Sequence, residues 1–131
     1  TWYWCSVSSS SGGHLLGWNL GYGFGDTSKA TENMLFYDEK AIKLGRVSFD
    51  IPISSSGGDD FMKDWTFRFK EDSFELRFHP LYDRHSDTDV LLLRSNQHQV
   101  FGLFSGSFLL DGEAISFSDV PGFAEKVFNK W

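Results

Sequence analysis

Apolar and polar residues alternate through most of this chain with a period of two, the spacing that sends successive side chains to opposite faces of a β-strand. The segments WTFRFK from Trp65 and FELRF from Phe74 alternate cleanly around Glu71, Asp72 and Ser73, which predicts a half-exposed hairpin. From Gln97 to Phe117 two apolar strands meet at Asp111-Gly112, a pair suited to a tight turn that needs positive φ at both central residues. Gly102 and Gly106 fall on the same side as Val100, Phe104 and Phe108, so that side has room for a sharp coil or for close approach of another chain or a ligand. From His14, one face carries His14, Leu16, Trp18, Leu20, Tyr22 and Phe24, and the other Leu15, Gly17, Asn19, Gly21 and Gly23. The bare face is either packed over by a neighbouring strand or lines a cavity.

Shorter strands are expected at Asn33 to Tyr37, Ala41 to Leu44, Arg46 to Ile51 and Val90 to Leu93, separated by Gly, Ser and Asp-rich loops. The tail changes period: Phe123, Val127 and Trp131 recur every four residues with Ala124 and Phe128 beside them. This spacing predicts a short amphipathic C-terminal helix starting near Pro121. The fold expected is an all-β, antiparallel, lipocalin-like (calycin-like) barrel of nine or ten strands, closed on one side by that helix.

Composition adds limits. The chain has 131 residues, 40% of them hydrophobic, with fourteen Phe and five Trp, enough for one well-filled domain. Twelve basic against eighteen acidic residues, scattered, exclude the concentrated positive charge that nucleic-acid binding needs. Cys5 is the only cysteine, so no internal disulfide forms, in keeping with a cytoplasmic location. No apolar stretch reaches transmembrane length. The first residues, TWYWCSVS, begin without Met inside an alternating pattern and read as the start of a fragment, residues 1–131 being one β-barrel domain of a longer two-barrel protein.

Five segments carry a resemblance: GHLLGWNLGYGFGD from Gly13, TENMLFYDEKAIKLG from Thr31, LRFHPLYDR from Leu76, HQVFGLFSGSFLLDGE from His98 and VPGFAEKVFNKW from Val120. Together they resemble the C-terminal part of an uncharacterised bacterial and fungal domain-of-unknown-function family, DUF 2804. More remotely the pattern is similar to the two-barrel lipocalin-like group of carotenoid hydratases and tocopherol cyclase. That likeness implies a partner N-terminal domain and proton-initiated chemistry on an isoprenoid.

Three clusters could carry chemistry. The first is His14, Trp18, Asn19, Tyr22, Asp26, Glu32 and Asn33. Adding water to an alkene needs a proton donor and aromatic walls for the developing cation, so Glu32, Asp26 and His14 are the catalytic candidates and Trp18 and Tyr22 the walls. Asn19 and Asn33 are candidate ligand contacts, against the plainer reading of turn and core residues. The second is His79, Tyr82, Asp83 and Arg84, where Asp83 can hold a guanidinium for an anionic group or form a strand-end ion pair. The run Asp83, His85, Asp87, Asp89 lacks the glycine and terminal Glu of a calcium loop, so no metal is assigned. The third is His98, leading into the glycine-bearing strand whose Phe104 faces the expected cavity. No phosphate-cradling loop or nucleophile triad is present, and no cofactor is implied. Three functions follow: binding of a small apolar molecule, a hydratase or cyclase acting on an isoprenoid or acyl chain, or a structural half-barrel docking to a second domain.

Overall fold

The strands form one curled sheet with two free edges. The computed structural model describes residues 1–23, 32–90 and 93–130. Its single antiparallel sheet comprises β1 (Trp2–Ser11), β2 (His14–Tyr22), β3 (Met34–Tyr37), β4 (Lys40–Lys43), β5 (Val47–Asp50), β6 (Trp65–Phe69), β7 (Glu75–Val90), β8 (Leu93–Leu110) and β9 (Glu113–Lys130). The order is β4-β3-β2-β1-β9-β8-β7-β6-β5. This is a meander in which β1 pairs with β9, and β4 and β5, the two edges, follow each other directly in the chain. The sheet curls into an all-β half-barrel, and no helix is present among the described residues.

Burial follows the predicted alternation. Cys5 and Val7 of β1, Leu16, Trp18 and Leu20 of β2, Leu76 and Phe78 of β7, and Val100, Phe104 and Phe108 of β8 all point inward and belong to one core. Trp18 is fully buried, with its ring centroid 5.4 Å from Phe104, 5.3 Å from Phe117 and 5.8 Å from Phe74. Aromatic side chains of this size supply much of the apolar burial of a small domain.

The glycines of β8 make way for β7, Gly102 for the Phe78 ring and Gly106 for the backbone. A Cβ on Gly102 would stand 2.8 Å from the Phe78 ring and 2.2 Å from the His79 carbonyl oxygen, so the space left there is occupied by protein. At Gly106 a Cβ would lie 1.9 Å from the Glu75 carbonyl oxygen. On β2 the bulky face is the core face; Gly17 and Gly21 point the other way, and a Cβ on Gly17 would meet the Val7 carbonyl oxygen at 2.7 Å. Asp111 and Gly112 have φ of 52° and 81°, the tight turn expected between β8 and β9.

Two expectations are corrected. The C-terminal amphipathic helix is absent: residues 113–130 form β9, hydrogen-bonded to β8 on one side and to β1 on the other. Both faces of this strand carry apolar groups, Ala124 and Phe128 inward, Phe123 and Val127 outward, and that double set imitates a helical period. Pairing on both edges decides the matter, because a helix here would leave the β1 and β8 backbones unpaired. Pro121 is tolerated in the strand because it adjoins a register shift between Phe104 and Gly106, where Asp119 takes φ of 55°. The separate strand expected at Val90 to Leu93 is likewise not seen: Val90 ends β7 and pairs with Leu93, which begins β8. Leu91 and Leu92 lie outside the described residues.

A second register shift, between Pro80 and Tyr82, determines the chemistry of the inner face. An unbroken alternation starting from Phe78 would point Pro80, Tyr82 and Arg84 inward, but the extra residue, Leu81, inverts it. Phe78 and Pro80 therefore share a face with Asp83 and His85, and Tyr82 and Arg84 turn outward. Substitution Gly106→Ala is expected to destabilise the protein by about 3 kcal/mol, since backbone rather than a flexible side chain blocks the new methyl; urea denaturation measures it, and an unchanged midpoint would show that β7 and β8 are not in this register.

Candidate functional site

Beyond the core row formed by Cys5, Ala124, Val100 and Asp83, the inner face becomes polar. The next row across the sheet is Tyr3, Lys126, His98 and His85, followed by Phe128, Asn96 and Asp87. The connection between β5 and β6 folds over these rows. Its tight turn is held by an Ile53–Asp59 bridge and by hydrogen bonds from Ser54 N–H to the Gly58 carbonyl and from Asp60 N–H to the Pro52 carbonyl. The Trp65 indole donates to the Phe61 carbonyl at 3.1 Å.

This strap bounds a cleft of about 480 Å³, partly open to solvent and lined by Thr1, Tyr3, Asp59, Phe61, Asn96, Lys126 and Phe128. Lys126 donates to Asp59 and lies 5.5 Å from the Tyr3 ring centroid. Burial works against its charge, yet the bond to Asp59, with Tyr3 beside it, leaves its pKa above the ordinary lysine value. Lys126 is therefore a fixed ammonium in a cleft with three aromatic rings.

His98 stands behind two of the lining residues, Phe61 and Lys126. Its ring is stacked on Phe61 at 3.7 Å and on His85 at 4.0 Å, nearly parallel to both. Its Nδ1 bonds to Asp83 Oδ2 at 2.8 Å, and Asn96 donates to His85 Nε2 at 3.0 Å. The other oxygen of Asp83, Oδ1, is buried with no hydrogen-bond partner. A buried carboxylate oxygen without a donor is costly, and such atoms concentrate where function requires them.

The residues singled out from sequence are distributed as follows. Asp83 and His98 come together on the inner face, though they were in separate clusters. Tyr82 and Arg84 lie on the outer face, exposed. Trp18 and Phe104 pack against each other in the core. The Tyr22 hydroxyl accepts from Phe49 N–H at 3.2 Å, its ring stacks on Tyr3 at 4.4 Å, and its pKa is pushed up to about 12, chiefly by burial. Asn19 accepts a bond from Ser6 at 2.9 Å on the outer face. His14 pairs with Asp38 at 2.8 Å at an exposed hairpin, 24 residues apart in sequence, where that bond and one from Leu15 N–H hold the Asp38 carboxyl below its ordinary pKa.

Asn33, buried, ties β2 to the β4–β5 connection: it accepts from Gly21 N–H at 2.8 Å and donates to the Gly45 carbonyl at 2.8 Å. Glu32 is exposed, and Asp26 lies outside the described residues. Lys126, Asp59 and Phe61 escaped the sequence reading. The only signal for them was an aromatic near an acidic loop, and the tail's helical period hid the inward direction of Lys126.

Among the described residues, the outer face has one buried carboxyl group. Glu125 is 6% exposed and accepts from the Gln97 amide, and burial raises its pKa above the ordinary carboxylate value. Around it Trp4, Phe123 and Phe101 form an aromatic patch. Cys5 is fully buried and burial pushes its thiol far up, so it is not a thiolate nucleophile. Among the described residues no three His, Cys, Asp or Glu side chains converge in a metal-binding group, and no helix is long and apolar enough to cross a membrane.

The fold and cleft together define a curled, antiparallel half-barrel domain with an aromatic core packed around Trp18 and a polar, partly covered end. The chain belongs to the family described as Domain of unknown function (DUF2804), the match covering residues 1–131. No curated protein and no solved structure matches it.

Two outcomes follow. Asn33→Ala removes both side-chain bonds, from Gly21 and to Gly45, and is expected to cost about 3 kcal/mol in denaturant unfolding; a loss near zero would mean the tie between β2 and the β4–β5 connection does not depend on them. Because the Glu125 pKa is raised in the folded protein, folding favours its protonated form, and stability falls as pH rises from the ordinary carboxylate range through the raised value. Glu125→Gln should therefore raise the melting temperature at neutral pH and leave it nearly unchanged in acid; equal shifts at both would contradict this.

Proposed function

We propose that this domain binds a small, largely apolar molecule carrying one hydrogen-bonding group, and that it does so in the cleft under the 51–64 strap. The observation that carries this reading is the contrast between two places. The interior around Trp18 is occupied by Phe74, Phe104 and Phe117, whereas the 480 Å³ cleft offers Tyr3, Phe61 and Phe128 as apolar walls with Asn96 and Lys126 as polar contacts. Ligand sites are typically clefts of this size, mostly apolar with a few placed polar groups. The curled antiparallel meander supports a lipocalin-like relationship, with the ligand moved from the barrel axis to its polar end.

Native mass spectrometry of the protein, followed by organic extraction, tests the reading. A defined small molecule is expected, with Phe128→Ala weakening its retention about tenfold through loss of one apolar wall and Phe101→Ala, on the outer face, leaving it unchanged. Equal retention in Phe128→Ala and wild type would overturn the cleft as the site.

A further inference from the structure

Among the described residues, three His–Asp pairs share the same Nδ1 to carboxylate distance of 2.8 Å: His14–Asp38, His79–Asp64 and His98–Asp83. Two are ordinary surface pairs, with side chains 46% to 65% exposed. The third is different: its side chains are 14% and 19% exposed, and the imidazole is clamped between Phe61 and His85. Surface pairs contribute little and hold no fixed geometry, whereas a sheltered pair fixes both the ring and its tautomer.

We propose that His98 is a general base that removes a proton from carbon on a flat, apolar molecule bound in the cleft, with Lys126 stabilising the oxyanion that forms. The inference rests on the cleft reading and adds the reaction class. Donation from Nδ1–H to Asp83 leaves the lone pair on Nε2, which makes no hydrogen bond to any described residue. Phe61 covers one ring face and His85 the other, so the Nε2 edge is the side through which a proton can be taken.

Lys126 is the direct cross-strand neighbour of His98, and its ammonium is held by Asp59. A base stacked against the cleft wall at Phe61 and, next to it across the strands, a fixed cation that lines the cleft are the two parts needed to abstract a proton next to a carbonyl or a comparable electron sink. The Asp83 carboxylate, with Oδ1 buried and unpartnered, lies beside the imidazole and holds its orientation.

A nitro-substituted benzisoxazole tests this without knowledge of the natural ligand. The base takes the ring C–H proton, the C–H electron pair becomes part of a nitrile, the N–O bond breaks, and the oxygen leaves as a coloured phenolate; the proton on Nε2 then passes to solvent. Equilibrium dialysis first measures whether the probe binds and whether Phe128→Ala weakens it. The wild-type protein should then open the ring faster than free imidazole at equal concentration.

His98→Gln should lower the rate about a hundredfold, Asp83→Asn should lower it with binding unchanged, and His14→Ala and His79→Ala should retain it. Circular dichroism establishes that each variant is folded; if His98→Gln does not fold, Asp83→Asn and the two surface variants carry the test. Binding without acceleration, or a folded Asp83→Asn or His98→Gln variant with the wild-type rate, overturns the role of His98 alone. Absence of binding removes the cleft reading and this one with it.

Discussion

The structure depends on a packing constraint: Phe78 and Phe104 take space that a side chain on Gly102 or Gly122 of the neighbouring strand would need. Trp18 and Phe78 are both fully buried, and Phe78 lies where a side chain on Gly102 would be. Close packing of this kind permits little adjustment, so strand register and sheet curvature are set together. The same constraint packs the core around Trp18 and Phe104; beyond it, where the cleft lies, the inner rows pass from Val100 and Ala124 to His98 and Lys126.

That polar end is shaped by two local irregularities. The extra residue Leu81 reverses the alternation of β7, so that Asp83 rather than Tyr82 faces His98. The strap between β5 and β6 then brings Phe61 onto the His98 ring and Asp59 to Lys126. Neither contact is local in sequence: 37 positions separate Phe61 from His98 by their numbers, and 67 separate Asp59 from Lys126. The site therefore exists only when the whole meander, including the β1–β9 pair, has formed.

Much of the fold was legible in the chain because half-buried strands alternate. The β6 and β7 starts, the β8–β9 turn at Asp111-Gly112 and the inward set Val100, Phe104 and Phe108 follow directly from that rule. The rule failed at β9, whose two faces are both apolar because the outer one lies beneath Trp4 and beside Phe101. Of the site, Asp83 and His98 could be named from their types and positions, but their partnership could not. It depends on a one-residue bulge, which leaves no mark in hydropathy beyond the presence of Pro80. Asn33 looked like a ligand contact for the same reason that it works as a clasp: an amide that both donates and accepts suits a tie between backbones as well as a substrate.

If accessible binding space lies at the polar end and not along the barrel axis, a heavy-atom probe should find it there. A crystal of the protein soaked with a brominated aromatic compound locates that probe through the anomalous signal of bromine. The expected peak falls between Phe61, Phe128 and Lys126, with the strap in place or displaced. A peak among Trp18, Phe74, Phe104 and Phe117, with those rings moved apart, would contradict it.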